Sequence, residues 1–160
     1  MNKLSPHSKD LRKGRYSQHK QSYVVTTLTY QRQAVFADFY LGRIVALALR
    51  HQHEVGNVYG LAFVVIPDHL HWLFTLENDC SLAKIMHQVK GHSAGMIQKI
   101  RRERGDILLH RALWQHGYHD HAVRKEEDLQ YIARYIVANP LRAQLVSKIG
   151  DYPLWDAVWL

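Results

Sequence analysis

Val58-Tyr59-Gly60-Leu61-Ala62-Phe63-Val64-Val65-Ile66-Pro67-Asp68-His69-Leu70-His71-Trp72-Leu73-Phe74-Thr75-Leu76 decides the fold of this 160-residue chain. Both halves are dense in β-branched and aromatic residues, which pack well on a pleated surface, and Pro67-Asp68 between them has turn chemistry. Two strands, Val58 to Ile66 and His69 to Leu76, joined by so short a connection must pair antiparallel, so the stretch is a β-hairpin.

Upstream, Tyr23-Val24-Val25-Thr26-Thr27-Leu28-Thr29 reads as a further strand by the same chemistry. Phe36, Phe39, Tyr40, Ile44, Leu47 and Ala48 recur at helical intervals and predict an amphipathic helix from Ala34 to Glu54, with Gly56 as its stop. Downstream, Ser81 caps a second helix running to Arg104, with Leu82, Ile85, Met86, Val89, Met96, Ile97 and Ile100 on its apolar stripe. A strand is expected between Leu113 and Arg124, then a short helix from Glu126 to Ala138 whose Glu126-Glu127-Asp128 start suits the positive end of the helix dipole. The tail from Leu141 ends in Tyr152-Pro153-Leu154-Trp155 and Trp159, apolar groups expected to dock on the body. Helices interleaved with an antiparallel sheet make an α+β sandwich, with helices covering one face.

At 47% hydrophobic and 22% charged, the chain has the composition of a globular domain, which excludes a disordered segment, and its length suits a single domain. Residues 1–21 are polar, basic and aperiodic and read as a flexible arm ahead of a domain over 22–160. The longest apolar run, Leu61 to Ile66, is far short of the roughly 20 residues that cross a bilayer, so no membrane partner is expected. No apolar segment of a secretory signal follows the basic N-terminus, and Cys80 stands alone, so a reducing cytoplasm is the expected location.

The formal net charge of +7 is unevenly spread. Lys3, Lys9, Arg12, Lys13, Arg15 and Lys20 face only Asp10 in the arm, and Lys99, Arg101, Arg102 and Arg104 crowd around Glu103. Such clusters attract a polyanion through phosphate neutralisation and counterion release, and nucleic acid is the commonest one. A solubilising tail is the bland alternative.

Among the histidines, three His-x-His pairs stand out: His51/His53, His69/His71 and His119/His121. Residues two apart on a helix diverge by about 200°, so the first pair cannot share one ion, whereas on a strand they face the same way. The other two pairs each qualify as a bidentate metal site or as surface histidines, and spacing does not rank them. In the last predicted helix, Tyr131, Tyr135 and Asn139 share a face at four-residue intervals. A tyrosine attacks phosphorus only with help from a positive charge, since its solution pKa is about 10, and packing is the ordinary reading of such a residue.

Taken together, His69-Leu70-His71, then Trp114-Gln115-His116-Gly117-Tyr118-His119-Asp120-His121, then Tyr135-Ile136-Val137-Ala138-Asn139-Pro140-Leu141-Arg142-Ala143-Gln144-Leu145-Val146, resemble the REP-associated tyrosine transposases. These are single-tyrosine HUH nucleases of bacterial insertion sequences, and the resemblance runs from Tyr23 to Trp155. It implies a ferredoxin-like HUH fold, with His69 and His71 as metal ligands, Asn139 as the third, and Tyr135 as nucleophile. Val137 departs from the pattern where many relatives carry a histidine, which removes an auxiliary proton carrier there. The implied cofactor is Mg²⁺ or Mn²⁺, held by two imidazoles and an amide. The implied substrate is single-stranded DNA beside hairpins of repetitive extragenic palindromes (REP sequences), cleaved through a 5′-phosphotyrosine and rejoined by a monomer or homodimer. No phosphate-binding G-x-x-x-x-G-K-[ST] loop is present, in keeping with an ATP-independent reaction. The alternatives are a hairpin-binding protein that does not cleave and a metal phosphodiesterase with an unrelated substrate.

Overall fold

The computed structural model describes residues 20–107 and 111–160. Among them, β1 (Ser22–Leu28), β2 (Val58–Ile66), β3 (His69–Leu76), β4 (His119–Ala122) and β5 (Trp155–Ala157) form one sheet in the order β4-β1-β3-β2-β5, every neighbouring pair antiparallel. The hairpin forms with the ends expected, Ile66 opposite His69, and a bulge between Gly60 and Ala62. Helices α1 (Phe39–Glu54) and α2 (Leu82–Glu103) complete two interlocked split β-α-β units, the ferredoxin-like pattern, with α3 (Leu129–Val137), α4 (Asn139–Arg142) and β5 added after it.

The core lies between the sheet and α1 and α2. Tyr23, Val25 and Thr27 of β1 are buried while their neighbours are half-buried. Leu70, Trp72 and Phe74 extend the same face on β3, and Leu41, Val45, Leu49, Ile85, Met86, Val89 and Ile97 come down from the helices. Fully burying one such side chain is worth about 1.5–3 kcal/mol. Trp114, opposite Thr29, joins this layer and donates its indole N–H to Ser93 Oγ of α2 at 3.0 Å.

Several boundaries differ from the sequence reading. α1 starts at Phe39, not Ala34, because the Asp38 carboxylate caps it, accepting from the N–H groups of Tyr40 and Leu41. The preceding Val35–Ala37 is a 3₁₀ turn whose apolar side chains continue the helical spacing. Likewise α3 begins at Leu129, capped by Asp128, so Glu126 and Glu127 lie before the helix. β4 covers only His119–Ala122, since Gly117 takes a φ of 80° that interrupts the extended chain. Pro140 does not end the helical path but sits in the first turn of α4, where its missing N–H costs nothing. The tail docks through Tyr152 and Leu154, with Tyr152 Oη donating to the Val65 carbonyl at 2.6 Å, while Trp159 stays partly exposed. Helices also cover both faces of the sheet, not one. α3 and α4 pack on the side opposite α1 and α2, where Val64 and Leu73, which point away from Trp72, are fully buried.

Candidate active site

Cross-strand partners share a face, so the register builds a row of His119, Thr26, His71, Val64 and Trp155, from β4 across to β5. His69 lies two residues from His71 on the same face, and the two rings meet edge to face with centroids 4.8 Å apart. β3 is the central strand, so this pair sits on the most firmly held backbone of the sheet.

Each imidazole is anchored through Nδ1. His69 Nδ1 lies 2.6 Å from Asp68 Oδ1, and the other Asp68 oxygen accepts from Arg32 Nε at 2.9 Å. Burial alone raises the Asp68 pKa, but the hydrogen bonds from His69 and Arg32 bring it below the ordinary carboxylate value. An ionised carboxylate only accepts, so His69 Nδ1 donates, and in the neutral ring the lone pair is then on Nε2. His71 Nδ1 lies 2.8 Å from Thr26 Oγ1, and accepting from Nδ1–H is one of the roles open to that hydroxyl. Burial, then the positive charges of His69 and Arg142, holds the His71 pKa down to about 4, so this ring is neutral at physiological pH, the state a metal ligand requires.

α3 buries Ala133, Ile136 and Val137 against its side of the sheet and turns Tyr131 and Tyr135 outward, Tyr135 being 58% exposed. Val137 is thus a packing residue. Asn139 follows one turn after Tyr135, half-buried, as the first residue of α4. Arg142, three residues on, lies over Tyr135: its guanidinium carbon is 3.9 Å from the ring centroid, and Nη2 donates to the Tyr135 carbonyl at 2.7 Å. The sequence reading assigned Arg142 no role. Its only signal was an arginine seven residues after the tyrosine, and Pro140 between them obscures how the chain folds back.

Among the described residues, no group of three or more His, Cys, Asp or Glu side chains is placed to hold a metal. The ligand that the resemblance adds to His69 and His71 is of another type, the amide oxygen of Asn139. Two imidazoles with engaged Nδ1 atoms and one amide make a donor set that fits Mn²⁺ and, less fully, the oxygen-preferring Mg²⁺.

The other sequence candidates are spread more widely. His119 and His121 share the face of His69 and His71, but on the exposed edge strand, where His121 Nε2 pairs with Glu127 at 2.9 Å. His51 and His53 lie on α1, where His53 Nδ1 accepts from the Gly60 N–H. In the arm, Lys3, Lys9, Arg12, Lys13 and Arg15 lie outside the described residues, while Lys20 pairs with Glu77. At the end of α2, Lys99 pairs with Glu103 and Arg101 with Asp106. Arg104 bonds Asp38 at 2.6 Å, a contact that lowers the Asp38 pKa and ties the two helices together. Since Phe36 N–H donates to the Pro67 carbonyl beside that cap, this cluster stands at the end of the sheet where His69 begins β3. A cavity of about 410 Å³ between α1, β2 and β5 is lined by Trp72 and Phe63 and so belongs to the opposite face.

An antiparallel ferredoxin-like sheet with a His-x-His pair on its central strand and a tyrosine-bearing helix over that face has the architecture of the tyrosine transposases. The family model described as "Transposase IS200 like" matches residues 17–139, and the chain belongs to that family. A REP-associated tyrosine transposase of Escherichia coli K12 is 27% identical over 96 residues, 58% of this chain and 50% of its own. A relative from Haemophilus influenzae is 28% identical over 97 residues, 58% of this chain and 55% of its own. The chain thus spans about half the length of the curated relatives it matches. The solved structure of a REP-associated tyrosine transposase bound to a REP hairpin has the same fold, with a TM-score of 0.67 at 22% identity over 88% of this chain and 79% of that one. No helix among the described residues is long and apolar enough to cross a membrane.

Proposed function

We propose that this protein is a metal-dependent single-stranded DNA endonuclease and strand transferase acting beside hairpins of REP type, with Tyr135 as nucleophile and His69, His71 and Asn139 as metal ligands. The observation that carries the reading is the paired imidazoles of β3, each anchored through Nδ1, on the sheet face where α3 and α4 pack, with Tyr135 exposed on α3 and Arg142 laid against it. The hairpin as partner rests on the relatives named above.

A divalent ion, Mg²⁺ or Mn²⁺, supplies Lewis-acid polarisation of the scissile phosphate when bound. The residues of the chain do the rest. Asp68 and Thr26 fix the two rings, and α3 presents the Tyr135 hydroxyl at the surface, where a flexible strand reaches it. Tyr135 Oη attacks phosphorus in line: the Oη–P bond forms and the P–O3′ bond breaks, the phenol proton passes to solvent, and the departing 3′ oxygen takes up a proton. The product is a 5′-phosphotyrosine and a free 3′-hydroxyl. Attack by a second 3′-hydroxyl on that phosphorus releases the tyrosine and joins strands, conserving the phosphodiester energy. Lys3, Lys9, Arg12, Lys13, Arg15 and Lys20 add phosphate contacts, and Lys99, Arg101, Arg102 and Arg104 extend the positive field at the His69 end.

Incubation of the full chain with single-stranded DNA spanning a palindromic repeat and its flanks, with Mn²⁺, should give an adduct on a denaturing gel. Tyr135→Phe should abolish it with DNA affinity little changed, and Tyr131→Phe should retain it. An adduct that survives Tyr135→Phe overturns the assignment, and hairpin binding without any adduct in the wild type leaves a non-cleaving binder.

A further inference from the structure

Arg142 is held against the proposed nucleophile by two contacts. It stacks on the Tyr135 ring at 3.9 Å and donates one N–H to the Tyr135 carbonyl at 2.7 Å. Its side chain is otherwise exposed, so the rest of the guanidinium fork opens to solvent beside the ring. A brace between α3 and α4 needs only the bond to the carbonyl and does not call for a guanidinium over the face of the ring. An exposed cation laid on the ring of the proposed nucleophile suits a negatively charged group brought to the Tyr135 hydroxyl.

We propose that Arg142 is a phosphate-binding residue of this active site, which holds the ring of the nucleophile with the plane of its guanidinium and donates its remaining N–H groups to the scissile phosphate. This rests on the assignment of Tyr135 as nucleophile. The chemistry suits arginine alone. The guanidinium is planar, so it stacks on an aromatic face, and it carries five donors in a fixed fork, of which the Tyr135 carbonyl takes one. The fork is thereby aimed by the residue that attacks, and the phosphate it binds is oriented relative to the phenol. Lysine keeps the charge but loses both the plane and the fork.

Single-turnover adduct formation at saturating DNA, with Mn²⁺, is the first measurement. Arg142→Gln should slow it by about 100-fold, the usual size for a lost donor to a transition-state oxyanion. Arg142→Lys should be slowed by about tenfold. In Arg142→Ala, added guanidinium ion should restore part of the rate, and added ammonium should not. Two readouts are independent of the reaction. Mn²⁺ affinity, by calorimetry, should be unchanged or tighter in Arg142→Gln, since a like charge has been removed. In a Tyr135→Phe background, Arg142→Gln should reduce the slope of log K against log salt for single-stranded DNA by roughly 0.7, the loss of one phosphate contact.

A wild-type rate in Arg142→Gln overturns the proposal, as does an unchanged salt slope. So does a slow Arg142→Gln that has lost Mn²⁺ affinity and melts early, with no guanidinium rescue of Arg142→Ala, because that pattern marks a brace. If instead the wild type and Tyr135→Phe give the same adduct, the nucleophile assignment has failed, and the salt slope alone decides whether Arg142 touches phosphate.

Discussion

His69-Leu70-His71 and His119-Asp120-His121 have the same spacing, lie on the same face of the same sheet, and differ in nearly everything else. The first pair stands on the central strand, anchored by Asp68 and Thr26, both rings half-buried. The second stands on a four-residue edge strand, exposed, with His121 turned to the Glu127 carboxylate. Spacing places two imidazoles side by side, but neighbours from distant parts of the chain decide whether they are held, desolvated and kept neutral. A bidentate site is therefore a property of the strand's position in the sheet.

The sharpest way to break this contrast is to remove the rings one at a time. His69→Ala and His71→Ala should each reduce Mn²⁺ affinity by about 100-fold or more and abolish adduct formation, since two donors remain where three are required. His119→Ala and His121→Ala should each stay within about threefold of wild type. Calorimetric titration decides it, and equal losses for both pairs would mean that the face works as a single four-histidine cluster.

A second contrast lies in the response to acid. The His71 pKa in the fold is about 4, below the ordinary value of 6.5. Between those values the unfolded chain takes up a proton that the folded one refuses, so stability is complete above about pH 6.5 and is lost as the pH falls towards 4. At about 1.4 kcal/mol per unit, the loss is on the order of 3 kcal/mol. Asp68, held below 3.8, acts in the same direction but at lower pH. Urea unfolding of the metal-free protein from pH 7 to 4.5 should show this slope, and His71→Gln should flatten it while His121→Gln does not. A wild-type slope in His71→Gln would mean that other groups carry the acid sensitivity.

How the rings are aimed gives a smaller effect. Thr26→Val removes the hydroxyl beside His71 Nδ1 without changing side-chain shape much, and should cost about tenfold in Mn²⁺ affinity, the low end for a group that orients a ligand. Thr26→Ser should keep most of it. Loss in both variants would point to packing on β1 rather than to the hydrogen bond.

Much of this was legible in the sequence, for local reasons. The β2–β3 hairpin has the ends expected because Pro67-Asp68 leaves the chain one short way to turn. The starts of α1 and α3 were misjudged because apolar spacing and acidic residues extend beyond the true caps, Asp38 and Asp128, whose carboxylates alone mark where the backbone turns helical. His69, His71, Tyr135 and Asn139 are singled out by resemblance alone, since spacing leaves two histidine pairs equal. What marks the first pair is Thr26 across the sheet, 45 residues away, and Arg142 meets Tyr135 only where the chain folds back after a proline. Arg142 was invisible for that reason: its partner is fixed by the fold-back at Pro140, which no local pattern encodes.

The weakest expected effect tests the other side of the contrast. Glu127 accepts from the Arg124 N–H at 3.0 Å and from His121 at 2.9 Å, and these two bonds, the backbone one first, hold its pKa below the ordinary value. The carboxylate is therefore closing the turn between β4 and α3, with His121 as its second partner. The pair is open to solvent, where water replaces each bond at little cost. Glu127→Gln keeps an acceptor for the Arg124 N–H and His121→Ala leaves that bond intact, so each should lower the melting temperature by no more than about 3 °C. Neither should alter Mn²⁺ affinity. Lowering the pH through the Glu127 pKa removes the same contribution, so the two variants should converge with wild type at low pH. If His121→Ala instead loses metal affinity as His71→Ala does, the edge strand is part of the metal site, and central position in the sheet is no longer what distinguishes the two pairs.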